Sequence, residues 1–199
     1  MYIYDFIQGL IIGGTLIIAI GPQNLFVIQQ GLKKSYVFTV TLFCSLSDSL
    51  LIVIGIYLSN YIVQINPIII AIIKVLGGIW LIFYGLNKVI KLNQIKDINK
   101  ELNIINEYGK VLITLFLITY ANPHVYLDTI ILLGSLSTNF NDQFSFGIGA
   151  ISASFLFFFS LGYMSKFLSK YIYSNKTWFW IDLTIGLLMI SYGIYFIIF

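Results

Sequence analysis

The chain is poor in almost everything a water-soluble domain carries on its surface. Only 10% of its 199 residues are charged, against about 25% in an ordinary soluble domain. It has no arginine; its eleven basic residues are all lysine. One cysteine excludes an internal disulfide and any cysteine-based metal cage. One histidine beside that cysteine leaves soft metals short of ligands. A membrane enzyme of the disulfide-carrier type needs paired cysteines and is excluded. An intramembrane serine protease needs a nucleophile motif to partner His124, and none accompanies it. The chain is therefore not expected to be an enzyme, and nothing in it calls for a cofactor. The Met1 end lacks the basic start of a cleaved leader, so the first apolar run is expected to stay as a helix.

What fills the chain instead is hydrocarbon. Hydrophobic residues make up 59% of the sequence and mean hydropathy is +0.93. Runs of 18 or more apolar residues recur, each long enough to span a bilayer as a helix. The sequence predicts an all-α membrane protein with about six transmembrane helices, at Phe6–Ile28, Val37–Ser59, Pro67–Ile90, Val111–Leu136, Phe144–Leu168 and Trp178–Phe199. Ten of the eleven lysines fall in alternate loops, while the opposite side has only Asp5 and Asp142. The positive-inside rule then puts the lysine-bearing loops in the cytoplasm and both termini outside. A re-entrant first segment would move the N-terminus inside. Residues 91–110 form the one long polar stretch, read either as a cytoplasmic amphipathic helix or as a solvated linker.

The halves resemble each other. Gly21-Pro22 in the first span corresponds to Asn122-Pro123 in the fourth, and Gly78–Gly85 in the third to Gly186–Gly193 in the sixth. Three spans per half is an odd number, so the second half is inverted. The organisation predicted is a three-helix repeat over 1–90, a cytoplasmic loop over 91–110 and a second repeat over 111–199. Inverted repeats with interrupted helices at matching places point to secondary transporters with a site near the midplane.

Both interruptions carry polar side chains. Proline removes a helix hydrogen bond, and in lipid the freed carbonyls need protein or cavity water. Gly21, Pro22, Gln23 and Asn24 form the first break; Asn122, Pro123 and His124 form the second. Two carboxylates lie in apolar runs, Asp48 in the second span and Asp128 in the fourth. A carboxylate at a membrane-helix centre costs about 2.5–3.5 kcal/mol on insertion scales, and it usually faces a cavity and handles a cation or proton. His124 and Asp128, four apart, share a helix face; His124 either relays protons or bonds structurally beside the kink. Asp48, Asp128 and His124 are the candidates for proton coupling. The candidate substrate site adds Gly21, Pro22, Gln23, Asn24, Asn122, Pro123 and Tyr126. Lys74 and Asp182 are read first as helix-end anchors, Cys44 as packing, and Gly9–Gly13 as a small-residue motif for helices or subunits.

These motifs resemble a known family. Gly21-Pro22-Gln23-Asn24, Ser47-Asp48, Asn122-Pro123-His124-Val125-Tyr126-Leu127-Asp128 and Gly134-Ser135-Leu136 look like the LysE-type amino-acid exporters. Together with Ile151-Ser152-Ala153-Ser154-Phe155 they are closest to the arginine and lysine exporter branch. The resemblance runs in order along essentially the whole chain. It implies a bacterial inner-membrane exporter of basic amino acids driven by the proton motive force. Its partners would be substrate, protons and lipid, with a homo-oligomer possible, and Asp48 and Asp128 would be acidic transport positions. The alternatives are export of another cation, such as a metal ion, or of neutral amino acids.

Overall fold

The computed structural model describes residues 2–18, 21–58, 75, 78–79, 81–87, 89–90, 108–122, 125–171 and 175–198. Among these residues there is no strand. The helices are α1 (Ile3–Ile17), α2 (Pro22–Leu32), α3 (Val37–Tyr57), α4 (Tyr108–Tyr120), a π-helical stretch (Tyr126–Leu133), α5 (Gly134–Ser137), α6 (Gln143–Leu168) and α7 (Asn175–Ile198). Among the described residues two helices are long and apolar enough to cross a membrane, and the pair α1 and α2 makes a third if it counts as one span. Half of the expected third span and residues 91–107 of the middle loop lie outside the described residues, as do Lys74, Pro123, His124 and the side chain of Asp182.

The first expected span is two helices bent by 81°. Helix α2 begins at Pro22, where a missing N–H costs nothing because the first turn has no intrahelical acceptor. Ten of its eleven residues are buried, so protein surrounds it on all sides. The turn into α3 puts Lys34 and Tyr36 at φ 55° and 51°, a left-handed conformation that L-residues adopt at a cost.

Helix α3 shows why the sequence suits lipid. Its outward stripe is apolar: Leu46, Leu50, Val53 and Tyr57 are all more than half exposed. Its inward stripe is small and polar, with Thr41, Cys44, Ser45, Asp48 and Gly55 buried. Water would favour the reverse arrangement. Ser45 and Ser49 satisfy their hydroxyls on the Thr41 and Ser45 carbonyls of their own helix.

Small residues let the helices meet backbone to backbone. The Gly9–Gly13 motif packs α1 on α6 within the chain. A Cβ at Gly9 would overlap the Phe146 carbonyl, and one at Gly13 would stand 2.8 Å from Ala150 Cα. Gly55 brings α3 equally close to Thr129 and Ile130. A Cβ at Gly78 would lie 2.7 Å from the Gly193 carbonyl oxygen, and one at Gly85 would lie 2.6 Å from that of Gly186. Leu25, Phe26 and Val27 of α2 join Cys44, Leu115, Ile118 and Phe158 in the principal core.

Candidate functional site

The break between α1 and α2 is tied by Asn24, whose Nδ2 donates to the Ile17 carbonyl at 3.1 Å. That bond satisfies one carbonyl at the end of α1 and turns the start of α2 into the interior. On α3, the buried Asp48 accepts a hydrogen bond from Ser154 Oγ of α6 at 2.9 Å. One residue earlier, Ser47 Oγ accepts from the Tyr120 hydroxyl at 3.1 Å. These bonds fix one face of α3 against α6 and α4.

Asp128 arrives on the π-helical stretch. The resumed helix was expected to be α; it is instead a wider coil with i→i+5 bonding, a form that recurs at functional sites. Thr129 Oγ1 donates to the Val125 carbonyl at 2.5 Å. The Tyr126 hydroxyl donates to the Tyr120 carbonyl at 2.6 Å, which closes the end of α4.

Between these elements lies a cavity of about 190 Å³. Gly21, Pro22, Gln23, Asn24, Asp48, Asn122 and Asp128 all line it, so most of the site residues expected from the sequence converge there. Tyr126 is not among the lining residues. Pro123 and His124 lie outside the described residues. The rest of the wall is Leu16, Ile17, Leu133 and Phe158, with Val125, Thr129 and Tyr192. Gln23 is 5% exposed, and its side-chain amide lies against the buried Cys44 thiol.

Ser154, Thr129, Phe158 and Tyr192 were not singled out as site residues. Tyr192 and Ser154 sit inside motifs that were noticed for other reasons, the repeat and the Ile151–Phe155 run. The place of Tyr192 on the cavity wall and the bond from Ser154 to Asp48 needed the packing of α7 and α6.

A bundle of apolar helices around a cavity on whose largely apolar wall two carboxylates stand defines an integral membrane protein. The chain belongs to the LysE type translocator family, whose model matches residues 15–199. It is similar to proteins described as "Arginine exporter protein ArgO". The one from Klebsiella pneumoniae (strain 342) is 35% identical over 193 residues, covering 95% of this chain and 90% of that protein. The Escherichia coli (strain K12) protein is 34% identical over the same length, with the same coverage. The one from Salmonella enteritidis PT4 (strain P125109) is 33% identical over 188 residues, 92% of this chain and 89% of that protein. No solved structure matches the chain.

Proposed function

We propose that the protein is a bacterial inner-membrane carrier that exports basic amino acids, arginine and/or lysine, driven by the proton motive force. The observation that carries this reading is the convergence of Asp48 and Asp128 on one cavity with Gly21–Asn24 and Asn122. Two carboxylates suit a side-chain cation, and the same groups can take up protons once the substrate leaves. The names of the relatives support arginine as a substrate.

Coupling follows from charge. Moving one positive charge outward against an inside-negative potential costs about 2.3 kcal/mol per 100 mV. Exchange for one proton is electrically neutral and uses only the pH gradient. Two protons inward would also use the voltage, and two carboxylates are enough to carry them.

Alternating access would come from two inverted three-helix repeats, 1–90 and 111–199. Helix contacts support this arrangement. Under the repeat, Gly78 is equivalent to Gly186 and Gly85 to Gly193. Gly78 packs on Gly193 and Gly85 on Gly186, so each contact maps onto the other, as a self-complementary two-fold interface requires. In this reading the lysine-rich loops are cytoplasmic and both termini lie outside.

The test is efflux of preloaded labelled arginine and lysine from cells expressing the chain, with and without a protonophore. Efflux that collapses with the proton gradient, and in membrane-inserted Asp48→Asn and Asp128→Asn variants, is the expected result. Undiminished efflux by both variants would overturn the role of the acidic pair. Efflux of neither amino acid would overturn the substrate.

A further inference from the structure

The lysine end of α6 carries a feature apart from the cavity. Along this helix Phe155, Phe159 and Tyr163 stack one above another. Their ring centroids are 6.2 Å apart at each step, with planes inclined by 13° and 10°. Phe38 of α3 stands edge-on beside the middle ring, at 5.9 Å. At the end of the column the Lys166 ammonium lies 5.7 Å from the Tyr163 ring centre. One turn further on, the Lys170 ammonium sits 3.8 Å from the centre of the Phe167 ring and 4.9 Å from that of Tyr171. Phe38, Tyr163, Phe167 and Tyr171 are all exposed, so this face looks out of the bundle.

The end of α2 arrives at the same place. A Cβ on Gly31 would stand 2.6 Å from Ser165 Cβ and 3.2 Å from the Lys166 amide nitrogen. Lys33 and Lys34 follow within one turn, and the Lys34 N–H donates to the Gly31 carbonyl at 2.9 Å. Four lysines therefore leave one junction of two helices. The described carboxylates are elsewhere: Asp5 and Asp142 at the far end of α6, Asp48 and Asp128 at the cavity. In the sequence the lysine-bearing loops hold ten lysines against Asp97, Glu101 and Glu107, so positive charge is in excess on this side. Lysine beside a helix C-terminus is favourable by itself. That role requires neither rings beneath the ammonium nor a stacked column leading away from it.

Membrane dimensions give the column a meaning. From Phe155 to Tyr163 the helix rises about 12 Å, at 1.5 Å per residue. The hydrocarbon of one leaflet is about 15 Å deep, half of a 30 Å core. An acyl chain running down the column from Lys166 would meet rings through most of its leaflet. Its headgroup would meet ammonium groups seated on aromatic rings at the interface, the depth where such side chains collect.

We infer that this junction is a binding site for an anionic phospholipid. Lys166 and Lys170, with Lys33 and Lys34 across the junction, take the headgroup phosphate. The column of Phe155, Phe159 and Tyr163, walled by Phe38, takes an acyl chain. A lipid held there braces the end of α2 on α6, and the first residues of α2 wall the cavity. The site is independent of which solute the cavity carries.

The experiment uses the full-length protein, purified in detergent and stripped of native lipid. Its Tm is followed during titration with dioleoylphosphatidylglycerol, dioleoylphosphatidylcholine or water-soluble glycerol phosphate. Phosphatidylglycerol is expected to raise Tm saturably at concentrations where the other two do not. Each lysine close to an anionic headgroup contributes about fivefold to affinity, so Lys166→Gln with Lys170→Gln should raise the half-saturating concentration about 25-fold. Removing the same charge from the middle loop, by Lys96→Gln with Lys100→Gln, should leave it unchanged. Phe159→Leu, which takes out the middle ring, should weaken binding by a few-fold with the lysines intact. Equal stabilisation by phosphatidylcholine would overturn the anionic headgroup site. Equal stabilisation by glycerol phosphate would overturn the lipid in favour of a free anion. Equal losses from the two lysine pairs would overturn a defined site in favour of diffuse charge. Unchanged binding by Phe159→Leu would overturn the acyl track.

Discussion

Ser154 and Asp48 form a cross-helix pair, whereas Ser152 and Ser191 spend their hydroxyls on carbonyls of their own helices. Removing the Ser154 hydroxyl leaves a buried carboxylate oxygen without its donor, a loss of about 1.5–3 kcal/mol for a bond to a charged group. Under the proposed function, Ser154→Ala is expected to reduce arginine efflux by about tenfold or more at equal membrane levels, and Ser154→Thr to restore most of it. Transport assays on the two variants check this. The contrast among serines also explains what the sequence made legible. Asp48, Asp128, Gln23, Asn24 and Asn122 stand out because strongly polar side chains are costly in an apolar run. A serine in such a run is usually satisfied by its own helix, so nothing in the letters separates Ser154 from Ser152. Thr129 was hidden in the same way.

Helix boundaries at the scale of elements follow the same logic. The expected Val37–Ser59 and Phe144–Leu168 are close to the observed Val37–Tyr57 and Gln143–Leu168, since length and hydropathy set both. The π-helical stretch was not legible: it packs on α3 where Gly55 allows the Thr129 and Ile130 backbone to come close, and no spacing in the letters announces that contact. Two predictions belong here. Lys34 ends the α2 turn in the left-handed region, where a Cβ costs roughly 1–2 kcal/mol. Lys34→Gly should raise thermal stability in detergent, read as an upward shift in Tm. At the start of α6, Asp142 accepts from the Phe144 and Ser145 amides, and its own N–H donates to Asp5 Oδ2 at 2.9 Å. The Ser145 hydroxyl, followed by neighbouring backbone N–H groups, holds the Asp142 carboxyl below the usual carboxylate range. A lowered folded-state value adds stability above the unfolded value, and that stability disappears as pH falls through the folded one. Protection factors for hydrogen exchange at the first turn of α6, taken against the intrinsic rate at each pH, should thus be high at neutral pH and fall in strong acid. Asp142→Asn should remove most of that pH dependence.

For the whole molecule, the glycine contacts between residues 78–85 and 186–193 are the sharpest geometric constraint on how the two halves meet. Cysteine pairs at 78 and 193, and at 85 and 186, are expected to cross-link within one chain under mild oxidation. Pairs at 78 and 186 should not. Cross-linking of the 78 and 186 pair instead would rule out the antiparallel face-to-face packing on which the two-fold arrangement depends. The two matching Gly-x6-Gly spacings were visible in the sequence. That they touch one another was not, because a spacing specifies which residues share a face and not what that face meets.

Cys44 is the chain's only thiol, and it is wholly buried in the core that α2 and α3 share, one turn from Asp48. The resting molecule should therefore be silent to membrane-permeant maleimides. Reaction would mark moments when α2 and α3 part, and mass spectrometry would see a single adduct with no engineered label. The rate of that adduct, with and without added substrate, would act as a clock for the opening of the cavity, already wired into the native protein.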